Sequence, residues 1–470
     1  MNQKREELGS RLGFLLLAAG CAIGLGNVWR FPFITGQNGG AVFVMFYILF
    51  LILLGLPLMM MELAVGRGSR LNLFSACRTL SAGKRFRWHW LGGILISGCA
   101  ILMMYYTTVS GWLLAYTGKY LFGSDLGSSA EEIGKSFAGF VASPLNCIFY
   151  MLLVVLGGAL VCGCGLRSGV ERITKFLMGG LFLIMLILAF QAFTLPGGSA
   201  GYEFYLKPDF SKISLNMLVA ALGQAFFTLS VGIGSIEIFG SYIGRENTLG
   251  RESVFIIGAD TLVALLSGAI IFPVCASYAV DVSSGPGLIF ISLPNVFANL
   301  AGGRWWGLFF FLFLTIAAFT TIIAVFENLI ALIMDEWKWP RWRAALLIGI
   351  AIGLLSLPCA LGFNLWSMVE PLGAGSNILD LEDYIVSDNL LPLGGIFFVV
   401  LCCSRYGWGW NNFYTEVNQG RGWKLPSWCR KYFTYGVPAL ILGLFVIGIL
   451  RRWFAFIALR VGLQPLEYGG

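Results

Sequence analysis

Charge is scarce in this sequence. Only 12% of its 470 residues are Asp, Glu, Lys or Arg, 58% are hydrophobic, and the mean hydropathy is +0.81. Soluble domains carry about 25% charged residues, so no part of the chain reads as a soluble domain. A single histidine, His89, lies in a basic stretch, which excludes the imidazole clusters that transition metals favour. No GxxxxGK[ST] phosphate loop is present, so a built-in ATPase motor has no support. The eleven cysteines lack CxxC or Cys/His zinc spacing, and pairs such as Cys162 with Cys164 and Cys402 with Cys403 read as small hydrophobes. The opening MNQKREELGSRLGF has no small-residue cleavage site, so the first apolar segment is expected to stay in the mature protein.

Long apolar runs are abundant instead. Crossing a roughly 30 Å hydrocarbon layer takes about 20 residues, and about eleven such runs recur, near 11–36, 41–65, 91–123, 145–163, 170–194, 215–243, 252–280, 305–334, 343–361, 384–405 and 433–452. Backbone in lipid must satisfy its own hydrogen bonds, so the expected fold class is an all-α membrane protein. About 22 of the 31 Lys and Arg fall in the N-terminal tail and in alternate loops such as GRGSRLNLFSACRTLSAGKRFR and DEWKWPRWR. The positive-inside rule puts those segments in the cytoplasm. It also accounts for the net charge of +7 without nucleic-acid binding.

Two of the runs carry residues that damage a helix. GCAIGLGNVWRFPF contains Gly20, Gly24 and Gly26, and FFTLSVGIGS contains Gly232 and Gly234 beside Thr228, Ser230 and Ser235. Each interior glycine costs about 1 kcal/mol relative to alanine, and open backbone survives at membrane depth only where it lines a cavity. With helices 1 to 5 and 6 to 10 taken as two repeats, each repeat begins with a glycine-broken helix, the sequence pointer to a midplane site between inverted repeats. Close helix packing is the alternative reading of the glycines. A broken helix offers free N–H groups to an anion and free carbonyls to a cation.

At these residues the chain resembles the neurotransmitter:sodium symporter family, in particular its bacterial amino-acid transporters of the leucine-transporter type. The resemblance rests on KREELGSRLGF, GLGNVWRFPF, GQNGGAVF, PLMMMELAVGR, GQAFFTLSVGIGS, FYLKPDFSKI and DNLLPLGG. It implies the leucine-transporter fold, an inverted five-helix repeat with helices 1 and 6 unwound at midplane, divided as 1–200, 201–405, and 406–470 for helix 11 and the tail. Two Na⁺ ions are implied. The first site would fall on the Ala22 carbonyl, Asn27, Thr228 and Asp260; the second on the carbonyls of Gly20, Ile23 and Ala317 and the hydroxyls of Thr320 and Thr321. Hard oxygen ligands of this kind suit sodium.

Gly24 matters because amine-specific relatives hold an aspartate there, so here the substrate would bring the carboxylate itself. The resemblance places that carboxylate on the Leu25 and Gly26 N–H groups and the Tyr106 hydroxyl, and the ammonium on exposed carbonyls and Ser230. The side-chain pocket would comprise Cys21, Leu102, Phe227, Ile233, Thr321 and Val325. Ile233 and Val325 are smaller than their counterparts in leucine-type relatives, which suggests room for neutral hydrophobic amino acids from leucine or methionine to the aromatic ones. Arg30 and Asp383 match the outer gate over Phe227 and Tyr106; Arg5, Asp335 and Tyr242 match the inner gate.

Three departures from the family pattern bear on mechanism. Asp260 stands where many relatives have asparagine, and Ala264 where chloride-dependent relatives have serine, so uptake is expected to need no chloride; the carboxylate would also suit proton exchange on the return step. Glu237 occupies a usually apolar place. In helix 5, Gly179 and Gly180 replace a proline, leaving the ease of inner opening open. Glu62 and Glu327 are expected to be buried and hydrogen-bonded. The implied setting is a bacterial plasma membrane, with the N-terminus cytoplasmic and the protein a monomer or weak dimer among lipids. The rival readings are a symporter of another solute, such as an osmolyte or amine, and a transport-dead sensor; no nucleophile and base pair suggests an enzyme.

Overall fold

The computed structural model describes residues 8–124, 127, 129–278 and 287–460. Its architecture is a helical bundle: α1 in two halves, Arg11–Ala22 and Gly26–Gln37, then α2 (Ala41–Ser69), α3 (Trp88–Phe122), α4 (Pro144–Gly163) and α5 (Leu166–Phe193). After these come α6, also in two pieces, Leu215–Leu229 and Glu237–Ser241, and α7 (Leu249–Ser277), α8 (Gly303–Trp337), α9 (Arg341–Leu361), α10 (Ile378–Cys403) and α11 (Cys429–Leu450). Nine helices among the described residues are long and apolar enough to span a membrane, and the bent α1 pair makes ten. The expected run 215–243 falls short of that length because it is cut in two, so the difference from eleven is the α6 break itself. Shorter helices the sequence had not flagged occupy the connections, at Leu73–Leu80, Ala130–Val141, Ser199–Leu206 and Trp410–Val417.

Burial separates inner from outer helices. In the apolar window of α8, 72% of residues are buried, against 33% in α4 and α5 and 17% in α11. Large side chains such as Leu156, Leu186, Leu346 and Leu442 face outward from α4, α5, α9 and α11, which in a bilayer is the favourable exposure. α1 and α6 sit at the centre: the first half of α1 packs on α8, its second half on α7, and the short second piece of α6 on α2.

The two halves of α1 are bent by 53°. In α6 the chain leaves the helix at Ser230 (φ +52°) and passes through Gly232 (φ +106°) and Gly234 (φ +76°), a region open to glycine at little cost. Space is as limiting as conformation there. A Cβ on Gly232 would lie 2.2 Å from the Leu391 carbonyl oxygen, and one on Gly394 would lie 1.7 Å from the Gly232 oxygen. The backbone of α10 therefore seats directly on the unwound part of α6. By contrast α5 runs unbroken from Arg172 to Phe193, and a Cβ on Gly179 or Gly180 would meet nothing within 4 Å.

Gly232→Ala is expected to lower stability by about 1–3 kcal/mol through backbone strain alone, with the clash added. Gly180→Ala is expected to raise it by roughly 1 kcal/mol. Thermal unfolding of the detergent-solubilised protein measures both.

Candidate substrate and sodium site

Breaking two helices inside a membrane strands backbone groups, and the partners of those groups define the site. At the α1 break the Gly24 N–H donates to Asn27 Oδ1 (3.1 Å), and the Leu25 N–H donates to the Tyr106 hydroxyl (2.9 Å). Gln224 Nε2 donates to the Gly26 carbonyl (2.7 Å). At the α6 break Glu62 on α2 accepts from the Gly232 N–H, and Asn328 Nδ2 on α8 donates to the Gly234 carbonyl (3.0 Å). The breaks also serve each other, since Ser230 Oγ donates to the Cys21 carbonyl (3.4 Å). Glu62, Gln224 and Asn328 are fully buried, as such a role requires.

Two clusters of oxygen atoms form around the α1 break. In the first, Asn27 Nδ2 donates to Asp260 Oδ1 (2.7 Å) and to the Asp260 carbonyl (3.1 Å), and Thr228 Oγ1 donates to Asp260 Oδ2 (3.2 Å). All three residues have no exposed surface, and Ala22 is 3% exposed. In the second, Thr321 Oγ1 lies 3.3 Å from the carbonyls of Gly20 and Ile23 and 3.4 Å from that of Ala317. Thr320 Oγ1 donates to the same Ala317 oxygen (2.9 Å). Neutral carbonyls and hydroxyls with one carboxylate nearby are a donor set for a hard monovalent cation. Among the described residues no group of three or more His, Cys, Asp or Glu side chains could hold a metal ion, and none of the eleven cysteines is in a disulfide.

Between the clusters lies a cavity lined by Cys21, Ala22, Gly24, Gly26, Leu102, Tyr106, Phe227, Ser230, Ile233 and Thr321. Val386 and Leu391 of α10 complete the lining; as ordinary apolar residues of a membrane-spanning run they carry no mark in the sequence that sets them apart from lipid-facing ones. Val325 is fully buried and is not one of the lining residues. Space is tight at the floor: a Cβ on Gly24 would lie 2.2 Å from the Tyr106 hydroxyl and 2.6 Å from Thr321 Oγ1, so both side chains would have to shift.

The outer end is covered by Phe227, with the Arg30 guanidinium 4.3 Å above its ring, a cation–π contact. Arg30 and Asp383 do not pair here. The Asp383 carboxylate instead accepts from Tyr105 Oη (3.1 Å) and Ser387 Oγ (2.5 Å). At the inner end Arg5 lies outside the described residues. Tyr242 Oη donates to Glu327 (2.6 Å), which also pairs with Arg341 (2.6 Å), while Asp335 accepts from the Asn72 backbone and side chain (2.8 and 2.9 Å). Glu237 is fully buried in the first turn of the second α6 piece, where a carboxylate complements the helix dipole.

The model of the sodium:neurotransmitter symporter family matches residues 5–127 and 131–455. The chain belongs to this family. An uncharacterized sodium-dependent transporter of Haemophilus influenzae is 35% identical over 85% of this chain and 89% of that protein. The uncharacterized sodium-dependent transporter YhdH of Bacillus subtilis is 33% identical over 95% of this chain and 99% of its own. Among solved structures, MhsT in complex with L-phenylalanine superimposes with a TM-score of 0.85 at 33% identity, covering 94% of this chain and 99% of that one. This symporter is thus a multi-pass membrane protein of the leucine-transporter fold, and its transport is sodium-dependent.

The sequence also gave no signal for how the symporter fastens the start of α1. The Gly9 N–H (2.6 Å) and Ser10 Oγ (3.0 Å) both donate to Glu171 on α5, and Arg11 pairs with Glu252 on α7 (2.9 Å). These partners lie more than 150 residues away in sequence, so only the fold brings them together. Gly24→Ala is expected to weaken substrate binding by at least about 100-fold, equivalent to some 2.7 kcal/mol, with little loss of folded protein; binding of labelled substrate to the purified variant checks this.

Proposed function

We propose that this protein carries neutral hydrophobic L-amino acids, from leucine or methionine to the aromatic ones, together with two Na⁺ ions by alternating access and without chloride. The observation that carries the reading is the crowding of Gly24 against Tyr106 and Thr321. No acidic side chain stands at this position, so an anionic group arrives with the substrate. The complex of MhsT with L-phenylalanine supports an α-amino acid as that substrate.

In this mechanism the substrate carboxylate takes over the Tyr106 hydroxyl and the N–H groups of Leu25 and Gly26, and helps to surround a sodium ion held by the Ala22 carbonyl, Asn27, Thr228 and Asp260. The ammonium meets Ser230 and the carbonyls at the breaks. The apolar side chain fills the space among Leu102, Phe227, Ile233, Val386 and Leu391. A second ion sits among the carbonyls of Gly20, Ile23 and Ala317 and the hydroxyls of Thr320 and Thr321, tying α1 to α8. Because substrate completes the first ion's shell, each raises the other's affinity by the same factor. The Asp260 carboxylate supplies the negative charge that chloride would otherwise bring. Closure of Phe227 beneath Arg30 and Asp383 seals the outer side, and release of the α1 start opens the inner one. The N-terminus faces the cytoplasm of a bacterial plasma membrane, and one protomer, alone or in a weak dimer, contains the whole site.

Labelled leucine and tryptophan should bind the purified protein in proportion to sodium when potassium replaces it, and binding should be lost in Asn27→Ala and Thr320→Ala. An unchanged sodium dependence in Asn27→Ala would refute shared coordination. Uptake into sealed vesicles should persist when gluconate replaces chloride.

A further inference from the structure

Transport leaves one large feature of the surface unexplained, a groove between the start of α3 and the second half of α10. It encloses about 880 Å³, within the roughly 300–1,000 Å³ of small-molecule sites. Its walls are apolar, with Leu91 and Ile94 from α3 facing Leu393, Ile396 and Val400 from α10. Ile94 is 53% and Leu393 44% exposed, so no other part of the fold covers them.

The mouth of the groove is cationic, formed by Lys84, Arg85 and Arg405. It opens on the membrane face where α1 begins, because α1 crosses, α2 returns, and α3 starts from that side. Lys84 Nζ donates to the Arg405 carbonyl (3.1 Å), and Arg405 Nη2 to the Tyr406 hydroxyl (2.7 Å). Trp88 Nε1 donates to the Tyr406 carbonyl (2.8 Å). These bonds join the start of α3 to the turn after α10, so the mouth is preformed. None of the three cations forms an ion pair with a carboxylate among the described residues.

We propose that this groove is a binding site for an anionic phospholipid of the leaflet on this face, with the phosphate among Lys84, Arg85 and Arg405 and an acyl chain along α3 and α10. Charge complementarity decides the occupant. Basic side chains near a membrane surface attract anionic headgroups, and no carboxylate at the mouth pairs with them that could instead receive the ammonium of a zwitterionic headgroup. At its deep end the groove reaches Leu95 and Leu390. A Cβ on Gly98 would lie 2.9 Å from Leu390 and 3.3 Å from Ile233, so the chain end stops one layer of side chains from the substrate cavity.

The test uses the full-length protein in phosphatidylcholine nanodiscs doped with phosphatidylglycerol carrying a diazirine near the end of one acyl chain. Peptides containing residues 88–95 and 393–400 should take most of the label. The Lys84→Ala/Arg85→Ala/Arg405→Ala variant should take at least threefold less, and so should Ile94→Trp, which fills the groove while keeping its charges and guards against misfolding of the triple variant. Equal labelling by the phosphatidylcholine analogue, label spread evenly over all outward-facing helices, or undiminished label in Ile94→Trp would overturn the proposal. So would cross-links joining α10 to a second copy of the chain in place of lipid.

Discussion

An unpaired backbone group in a low-dielectric interior costs several kcal/mol, and this structure depends on meeting that cost at two places. α1 and α6 are broken where they pass each other, and the freed N–H and carbonyl groups are taken up by side chains from three other helices, Tyr106 on α3, Glu62 on α2 and Asn328 on α8, and by Gln224 from α6 to α1. A buried polar network of this kind holds only when its members find partners. The helices carrying those partners are therefore fixed in place around the breaks.

The same constraint links architecture to transport. The groups that satisfy the breaks in this structure are neutral hydroxyls and amides, or a carboxylate, at hydrogen-bond distances that a small cation and an amino-acid backbone could replace with ion and ligand contacts. Thr321, within reach of three carbonyls of α1 and one of α8, sits where the two helices are joined by a single side chain. Ligands that enter such a network change how strongly its helices are held together, and this is the physical basis on which binding can bias a conformational equilibrium.

Much of this was legible in the sequence. Hydropathy places the spans to within a few residues, because the hydrocarbon thickness fixes their length. The glycine clusters mark both breaks, because only glycine adopts the backbone required at Gly232 and Gly234 without strain. Residues at or beside the breaks, such as Gly24, Asn27 and Thr228, and Thr321 of α8 facing them, stand out as polar or small in apolar runs. Val386 and Leu391 carry no such mark, since an apolar residue that lines a cavity looks the same as one that faces lipid. Val325 illustrates the converse: it reads as a wall residue yet is not among the residues that line the cavity.

The sequence by itself determined that the chain lives in a membrane, that its helices number about eleven, and where two of them break, because each of these follows from local composition and from the cost of exposed backbone in lipid. Only the tertiary structure decided which side chains meet the broken backbone, that α10 lies on the unwound part of α6 with no room for a Cβ on either side, and that Glu171 and Glu252 hold the start of α1. It also gathered Lys84, Arg85 and Arg405 at one apolar groove. These pairings join residues from distant parts of the chain, and the geometry that brings them together comes from helix packing.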